Sequence, residues 1–307
     1  MGQTQSTTRS EGWLRRKRKF DEMAADLSTV LAGKADKILC PLCLREFAER
    51  DIEENLTEEH VVPSSAGGKI TTLTCRICNS ESGSEIDSHF ARVFRMEAAR
   101  LTGGEVDARI KIRDGVGSPA HVSFTPSGLH CRLEPTTGYA KKVLLERFVQ
   151  YARGERELNF HFLNNIDPSK LVASMIKAAY LGLFVDWGYR YVVLPNRDWV
   201  RAGIRRAGPE RECFERLVIL ATITDIGELP ATPTRMSFDA VCNGINVACS
   251  VINGVLGPGG FWALLPPMFD MNTGNCTGLQ RAAESIRGKS VTVTFNGDGP
   301  AVIRASS

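Results

Sequence analysis

Apolar residues recur at helical spacing near the start of the chain, at Trp13, Phe20, Met23, Leu27 and Leu31. A period of three to four residues gathers them on one face, so the pattern predicts an amphipathic helix over 13–31 with its charged residues outward. Beyond Gly104 the pattern changes to alternation. The stretches 106–113, 121–124 and 129–133, grouped around Pro126-Ser127-Gly128, read as an antiparallel meander. A short helix over 141–151 and a strand over 158–163 follow. Asp167-Pro168-Ser169 then opens a helix whose buried stripe is Leu171, Met175, Ala178, Ala179, Leu181 and Leu183. Further strands are expected over 217–224, 261–265 and 291–295. Helices and antiparallel strands mixed in this way predict an α+β fold.

A chain of 307 residues exceeds the usual size of one domain and can bury a sizeable core. Apolar content of 43% and charged content of 24% are those of a soluble globular protein. No run of eighteen or more apolar residues occurs, and the chain does not begin with an apolar leader, so no membrane partner is expected and a cytoplasmic location is. Charge is spread evenly. Residues 1–100 carry 15 Lys+Arg against 16 Asp+Glu, and residues 101–307 carry 23 against 19. Nucleic-acid contact must therefore rest on local clusters, either Arg15, Arg16, Lys17, Arg18 and Lys19, or Arg197, Arg201, Arg205 and Arg206. The first cluster has an equally good plain reading, as the outer face of a helix packed on its neighbour.

Nine cysteines change the picture. Four of them form two C-x-x-C pairs, Cys40/Cys43 and Cys75/Cys78, and each pair puts two sulfurs on one tight turn. Together they make the closed tetrahedral set expected of structural zinc. The other five, Cys131, Cys213, Cys242, Cys249 and Cys276, have no motif spacing and read as buried small hydrophobes. The pairs lie farther apart than in a simple zinc ribbon, so the residues between them must form a structure of their own.

Those residues carry chemistry. Glu59 and His60 precede Pro63, Gly67-Gly68 marks a turn, Asn79 directly follows the last paired cysteine, and Gly83, Ile86 and Asp87 come after it. This order of C-x-x-C, E-H-x-x-P, G-G, C-x-x-C-N and G-x-x-I-D resembles the zinc-containing branch of the HNH endonuclease family. The resemblance covers about a fifth of the chain. It implies a β-hairpin followed by a helix that together grip one catalytic metal, with strands over 56–62 and 71–74 and a helix starting near Arg76. The expected organisation is a basic helical extension over 1–38, a zinc-stapled ββα-metal module over 39–103, and an α+β recognition or regulatory domain over 104–307. Apolar spacing at Ile86, Phe90, Val93, Phe94 and Leu101 carries the helix on to Gly103-Gly104.

The resemblance also implies roles. His60 is the expected general base, since a neutral imidazole can take a proton from the attacking water. Glu59 and Asn79 are the expected ligands of a catalytic Mg2+ or Mn2+, while Cys40, Cys43, Cys75 and Cys78 hold the structural Zn2+. For Glu59 to reach that metal beside His60, the strand must be locally distorted, because neighbours in a regular strand point to opposite faces. Commoner relatives carry a histidine where Asn79 stands, and an amide oxygen favours oxygen-preferring metals. The family's middle asparagine has no counterpart at Lys69, Ile70 or Thr71, so fixing the loop falls to the Gly67-Gly68 turn.

The function implied is that of a metal-dependent endonuclease hydrolysing phosphodiester bonds in DNA, in a setting such as restriction or anti-phage defence. RNA as substrate and a homodimer stay open. The alternative is a non-catalytic zinc module that binds nucleic acid or a partner protein. Glu59-His60 together with Asn79 separates the two, because a pure binding module has no use for them.

Overall fold

The computed structural model describes residues 10–112, 117–125, 128–154, 160–162, 166–206, 208–221, 235–256, 259–268, 276–287, 289, 291–294 and 300–305. They fall into two units, Met1–Ala91 with Pro168–Ser307, and Arg92–Asp167. The fold is α+β, with an N-terminal strand and helix module followed by a larger α+β region.

The first unit opens with α1 (Glu11–Val30), capped by the Ser10 hydroxyl, which accepts from the Trp13 amide. Its buried face holds Phe20, Met23, Ala24 and Leu27; of the expected stripe Phe20, Met23 and Leu27 are buried, while Trp13 and the capping Leu31 are half-buried. Next come two short antiparallel pairs, β1 (Lys37–Leu39) with β2 (Glu46–Ala48), and β3 (Leu56–His60) with β4 (Thr71–Cys75). Then α2 (Arg76–Ser82), a π-helical turn over Gly83–Asp87 and α3 (Ser88–Thr102) run on in one helical path. The sequence predicts a single helix here. Its interruption matters, because a π-turn shifts the register of every side chain beyond it.

The second unit is built on an antiparallel sheet of β5 (Glu105–Ile112), β6 (Gly117–Thr125), β7 (Gly128–Leu133) and, past α4 (Gly138–Ala152), β8 (Phe160–Phe162). Its order is β7-β6-β5-β8. Alternation in β5 and β6 gathers Ile110, Ala120 and Val122 into its small core. This is the meander read from the sequence. The predicted ends at 113, 158–159, 163, 222–224 and 295, and the turn residues 126–127, lie outside the described residues.

The first unit resumes at α5 (Pro168–Trp187), where residues 173–184 are buried without a break. A helix apolar on all sides belongs in a core rather than on a surface. By length and composition α5 could cross a membrane, yet 67% of its apolar window is buried inside the fold. One side meets the π-turn, and another meets a six-stranded sheet. Before that sheet come α6 (Tyr189–Val192), α7 (Asp198–Arg205) and α8 (Pro209–Glu212). The sheet strands are β9 (Val218–Ala221), β10 (Arg235–Cys242), β11 (Ile245–Leu256), β12 (Gly259–Leu265), β13 (Val291–Thr294) and β14 (Ala301–Ala305), in the order β13-β14-β10-β11-β12-β9. Helix α9 (Cys276–Ile286) packs against it.

Two expectations need correction. Cys213 and Cys276 are joined as a disulfide, 63 positions apart in sequence, and Cys131 is exposed, whereas Cys242 and Cys249 are buried as expected. The arginine cluster at 197–206 is not one outward face, since Arg205 is half-buried and only Arg206 is exposed. Arg197 and Arg201 are buried, Arg197 donating to the Pro267 carbonyl and stacking on the Tyr191 ring, Arg201 bonding Tyr180, Val192 and Asp198. Burying a guanidinium requires such partners, and burial itself keeps these two side chains from reaching a phosphate.

Candidate active site and metal centre

The four paired cysteines are brought together. Their sulfurs all lie within 4.8 Å of one another. The first pair sits on the turn between β1 and β2, where the Cys43 and Leu44 amides fold back onto the Cys40 carbonyl and Leu44 takes a left-handed φ of 58°. In the second pair Cys75 ends β4 and caps α2, its sulfur accepting from the Cys78 amide at 3.4 Å, and the Cys75 amide donates to the Cys40 sulfur at 3.3 Å. Crowding leaves the four thiols competing for the same protons. Hydrogen bonding with Cys40 above all holds Cys43 and Cys75 below the ordinary thiol range and pushes Cys78 above it. A soft cation resolves this conflict by ligating the sulfurs as thiolates, so the donor set fits zinc.

The hairpin between the cysteine pairs is regular. Pairing runs without a break from Leu56 opposite Cys75 to His60 opposite Thr71. Its loop is fixed by backbone bonds, from the Ala66 and Gly68 amides to the Pro63 carbonyl and from the Val61 amide to the Ile70 carbonyl. Glycine is required here on two counts. Gly67 has φ of 83°, and a Cβ on Gly68 would lie 1.8 Å from the Val62 carbonyl oxygen. The loop therefore closes without the family's middle asparagine.

Regularity decides where the candidate residues point. The distortion expected at Glu59 is absent, so Glu59 and His60 face opposite sides of β3. Glu59 shares its face with Thr57 and, across the pair, with Thr72 and Thr74; Glu59, Thr72 and Thr74 are buried. Asn79 comes to this same face. Its amide group donates to the Glu58 carbonyl at 3.2 Å and to the Thr57 hydroxyl at 3.5 Å, so it meets the middle of the strand rather than His60 at its end. His60 is half-buried, on the side of Glu58, whose carboxylate pairs with Arg15 of α1 at 2.5 Å.

One member of the site could not be read from the motif. Lys177, in the middle of α5, donates to Glu59 Oε1 at 2.7 Å and to Asp87 Oδ2 at 2.6 Å. Burial raises the Glu59 carboxyl, against the pull of Lys177. Burial would lower Lys177, but Asp87 and Glu59 outweigh it and the ammonium is raised. The second Glu59 oxygen, Oε2, and the Thr74 hydroxyl are buried without a hydrogen-bond partner among the described residues. Two orphaned hard oxygens, diagonal neighbours on one face, are donors of the kind a hard divalent cation takes. The residues present thus fit such an ion at Glu59 as well as zinc at the cysteines.

The basic run of α1 is largely engaged within the fold. Arg15 pairs with Glu58, Lys17 with Asp21 and Glu49, and Lys19 donates to the Thr71 carbonyl. The bonds of Arg15 and Lys19 tie α1 to the hairpin beside His60.

Comparison with known proteins bears on the same stretch. The sequence model of a family described as HNH endonuclease matches residues 40–95. Among curated proteins and among solved structures nothing matches. The matched stretch starts at the first zinc-type cysteine and takes in the second pair, the E-H-x-x-P strand and the helix after it; residues 40–95 are an HNH endonuclease domain of the type framed by two cysteine pairs.

Proposed function

We propose that the protein is a metal-dependent endonuclease that hydrolyses phosphodiester bonds in DNA. The observation that carries this reading is the buried, unpartnered Glu59 Oε2 on the face that Asn79 also reaches, one residue before His60. Glu59 Oε2 and the Asn79 carboxamide oxygen would hold a Mg2+ or Mn2+ ion, which when bound supplies charge stabilisation to the phosphate and the leaving oxygen. His60 faces the other side of β3 at its end, so it would reach a water on the Glu59 face only around the end of the strand, taking its proton at an imidazole nitrogen. The Asn79 amide nitrogen is committed to the Glu58 carbonyl and the Thr57 hydroxyl, which leaves the carboxamide oxygen as the atom that would ligate. The four cysteines hold the start of α2 against the hairpin, and through it the position of Asn79.

A specific observation favours the other reading. Lys177 already supplies a positive charge to Glu59, so the module could keep its shape with no divalent ion and serve only to bind nucleic acid or a partner. Nicking of supercoiled plasmid with Mg2+, Mn2+ or EDTA separates the two. Cleavage that appears with either metal and disappears with EDTA is the expected result, and its absence with every divalent ion would favour the binding module.

A further inference from the structure

Two carboxylates from different elements, Glu59 of β3 and Asp87 of the π-turn, meet on the single ammonium of Lys177. Ser174, three residues earlier on α5, donates to the other Asp87 oxygen at 2.9 Å. Lys177 is 1% exposed and Glu59 is 4% exposed. Charges this deep persist only where partners offset the lost hydration. Here two acids surround one base, so with both carboxyls ionised the cluster carries one negative charge in surplus, and burial of that charge is what raises the Glu59 carboxyl. That surplus has an outlet, because Glu59 Oε1 and both Asp87 oxygens are engaged while Glu59 Oε2 finds no donor among the described residues. A buried cluster left with surplus charge and an orphaned oxygen is completed by one more positive charge at that oxygen, a proton before metal binds and a metal ion after.

Resting on the reading of Glu59 as a ligand of the divalent ion, we infer that Lys177 is the positioning residue of the nuclease site, clamping Glu59 through Oε1 so that Oε2 is the oxygen presented to the metal. The residue lies 82 positions beyond the end of the matched stretch at residue 95, which makes α5 part of the site rather than an appendage to it. It also sets the strength of the site. A fixed positive charge one carboxylate away weakens cation binding, and removing it leaves two acids with no base between them.

The test is Mn2+ binding to the zinc-loaded full chain, followed by electron paramagnetic resonance, alongside plasmid nicking. Lys177→Met raises the surplus to two negative charges, Asp87→Asn cancels it, and Lys177→Arg keeps it. The expected order is Mn2+ affinity roughly tenfold tighter in Lys177→Met, roughly tenfold weaker in Asp87→Asn, and close to the parent in Lys177→Arg, since a unit charge one carboxylate away from the ion is worth about that factor. Turnover should fall in Lys177→Met despite the tighter metal and be restored in Lys177→Arg; a merely structural lysine would give no tightening. A folded Lys177→Met with unchanged or weaker affinity overturns the inference. Should that variant fail to fold, Asp87→Asn carries the test, and an unchanged affinity there is equally fatal. A parent that binds Mn2+ and cleaves while the variants break the order sinks the role of Lys177 alone. A parent that binds no Mn2+ takes the metal-ligand reading of Glu59 down with it.

Discussion

The Tyr189 hydroxyl accepts from the Leu39 amide at 2.9 Å and donates to the Leu39 carbonyl at 2.5 Å, closing on a residue 150 positions earlier and next to Cys40. Tyr180 does the same on the other side of that cysteine, donating to the Pro41 carbonyl at 3.1 Å. The zinc-type knuckle is therefore held by the helices after residue 168 as well as by its own sulfurs. Tyr189→Phe removes one hydroxyl and orphans a buried amide and a buried carbonyl, so it should lower stability by about 1–3 kcal/mol. Urea denaturation measures this, and a midpoint equal to the parent's would show that the contact contributes nothing.

Zinc loading gives a second expectation. Cys75 closes β4, caps α2 and supplies a sulfur, so Cys75→Ser should abolish stoichiometric zinc and open the module to protease. Elemental analysis and limited proteolysis together check it. Undiminished zinc, or cleavage as slow as the parent's, would contradict the account.

Much of this site was legible because its parts are local. Each cysteine pair spans one turn, Asn79 follows Cys78 directly, and the glycines mark a loop whose geometry admits nothing larger. The orientation of Glu59 was not legible, because it depends on whether β3 is regular, and no residue type in the strand announces a bulge. Lys177 was hidden for a different reason. It sits in an apolar helix where a lysine reads as the polar face, and only the packing of α5 against the π-turn reveals that it faces two acids. The same packing explains why the stripe predicted for α5 became burial on every side. The arginines at 197 and 201 show the converse, a basic cluster in sequence that the fold spends on its own carbonyls. One missed element did carry a signal. Asn243-Gly244 joins β10 to β11 with φ of 49° and 74°, the left-handed pair that a two-residue hairpin demands, and Asn-Gly between alternating apolar residues is its usual sequence mark.

The loop after His60 yields a third expectation. Gly68→Ala would drive a Cβ against the Val62 carbonyl, and backbone cannot give way as a flexible side chain can. The loop must shift, at a cost of about 1–3 kcal/mol by analogy with overpacked cores. Plasmid nicking should fall with it, while zinc content stays at the parent's level because no cysteine has moved. A variant with full stability and full activity would show that this close approach does not matter.

The central claim is that His60 is a base beside a separate hard-metal site, and the pair His60→Ala and Asn79→Ala tests it in one measurement, the Mg2+ and Mn2+ dependence of plasmid nicking. His60→Ala should lower cleavage by roughly 10²- to 10⁴-fold at every metal concentration, with zinc content unchanged, because no ion replaces a missing proton acceptor. Asn79→Ala should recover part of its loss as Mg2+ or Mn2+ is raised. If both variants cleave like the parent, or if metal rescues His60→Ala as well as Asn79→Ala, the division of base from ligand is contradicted.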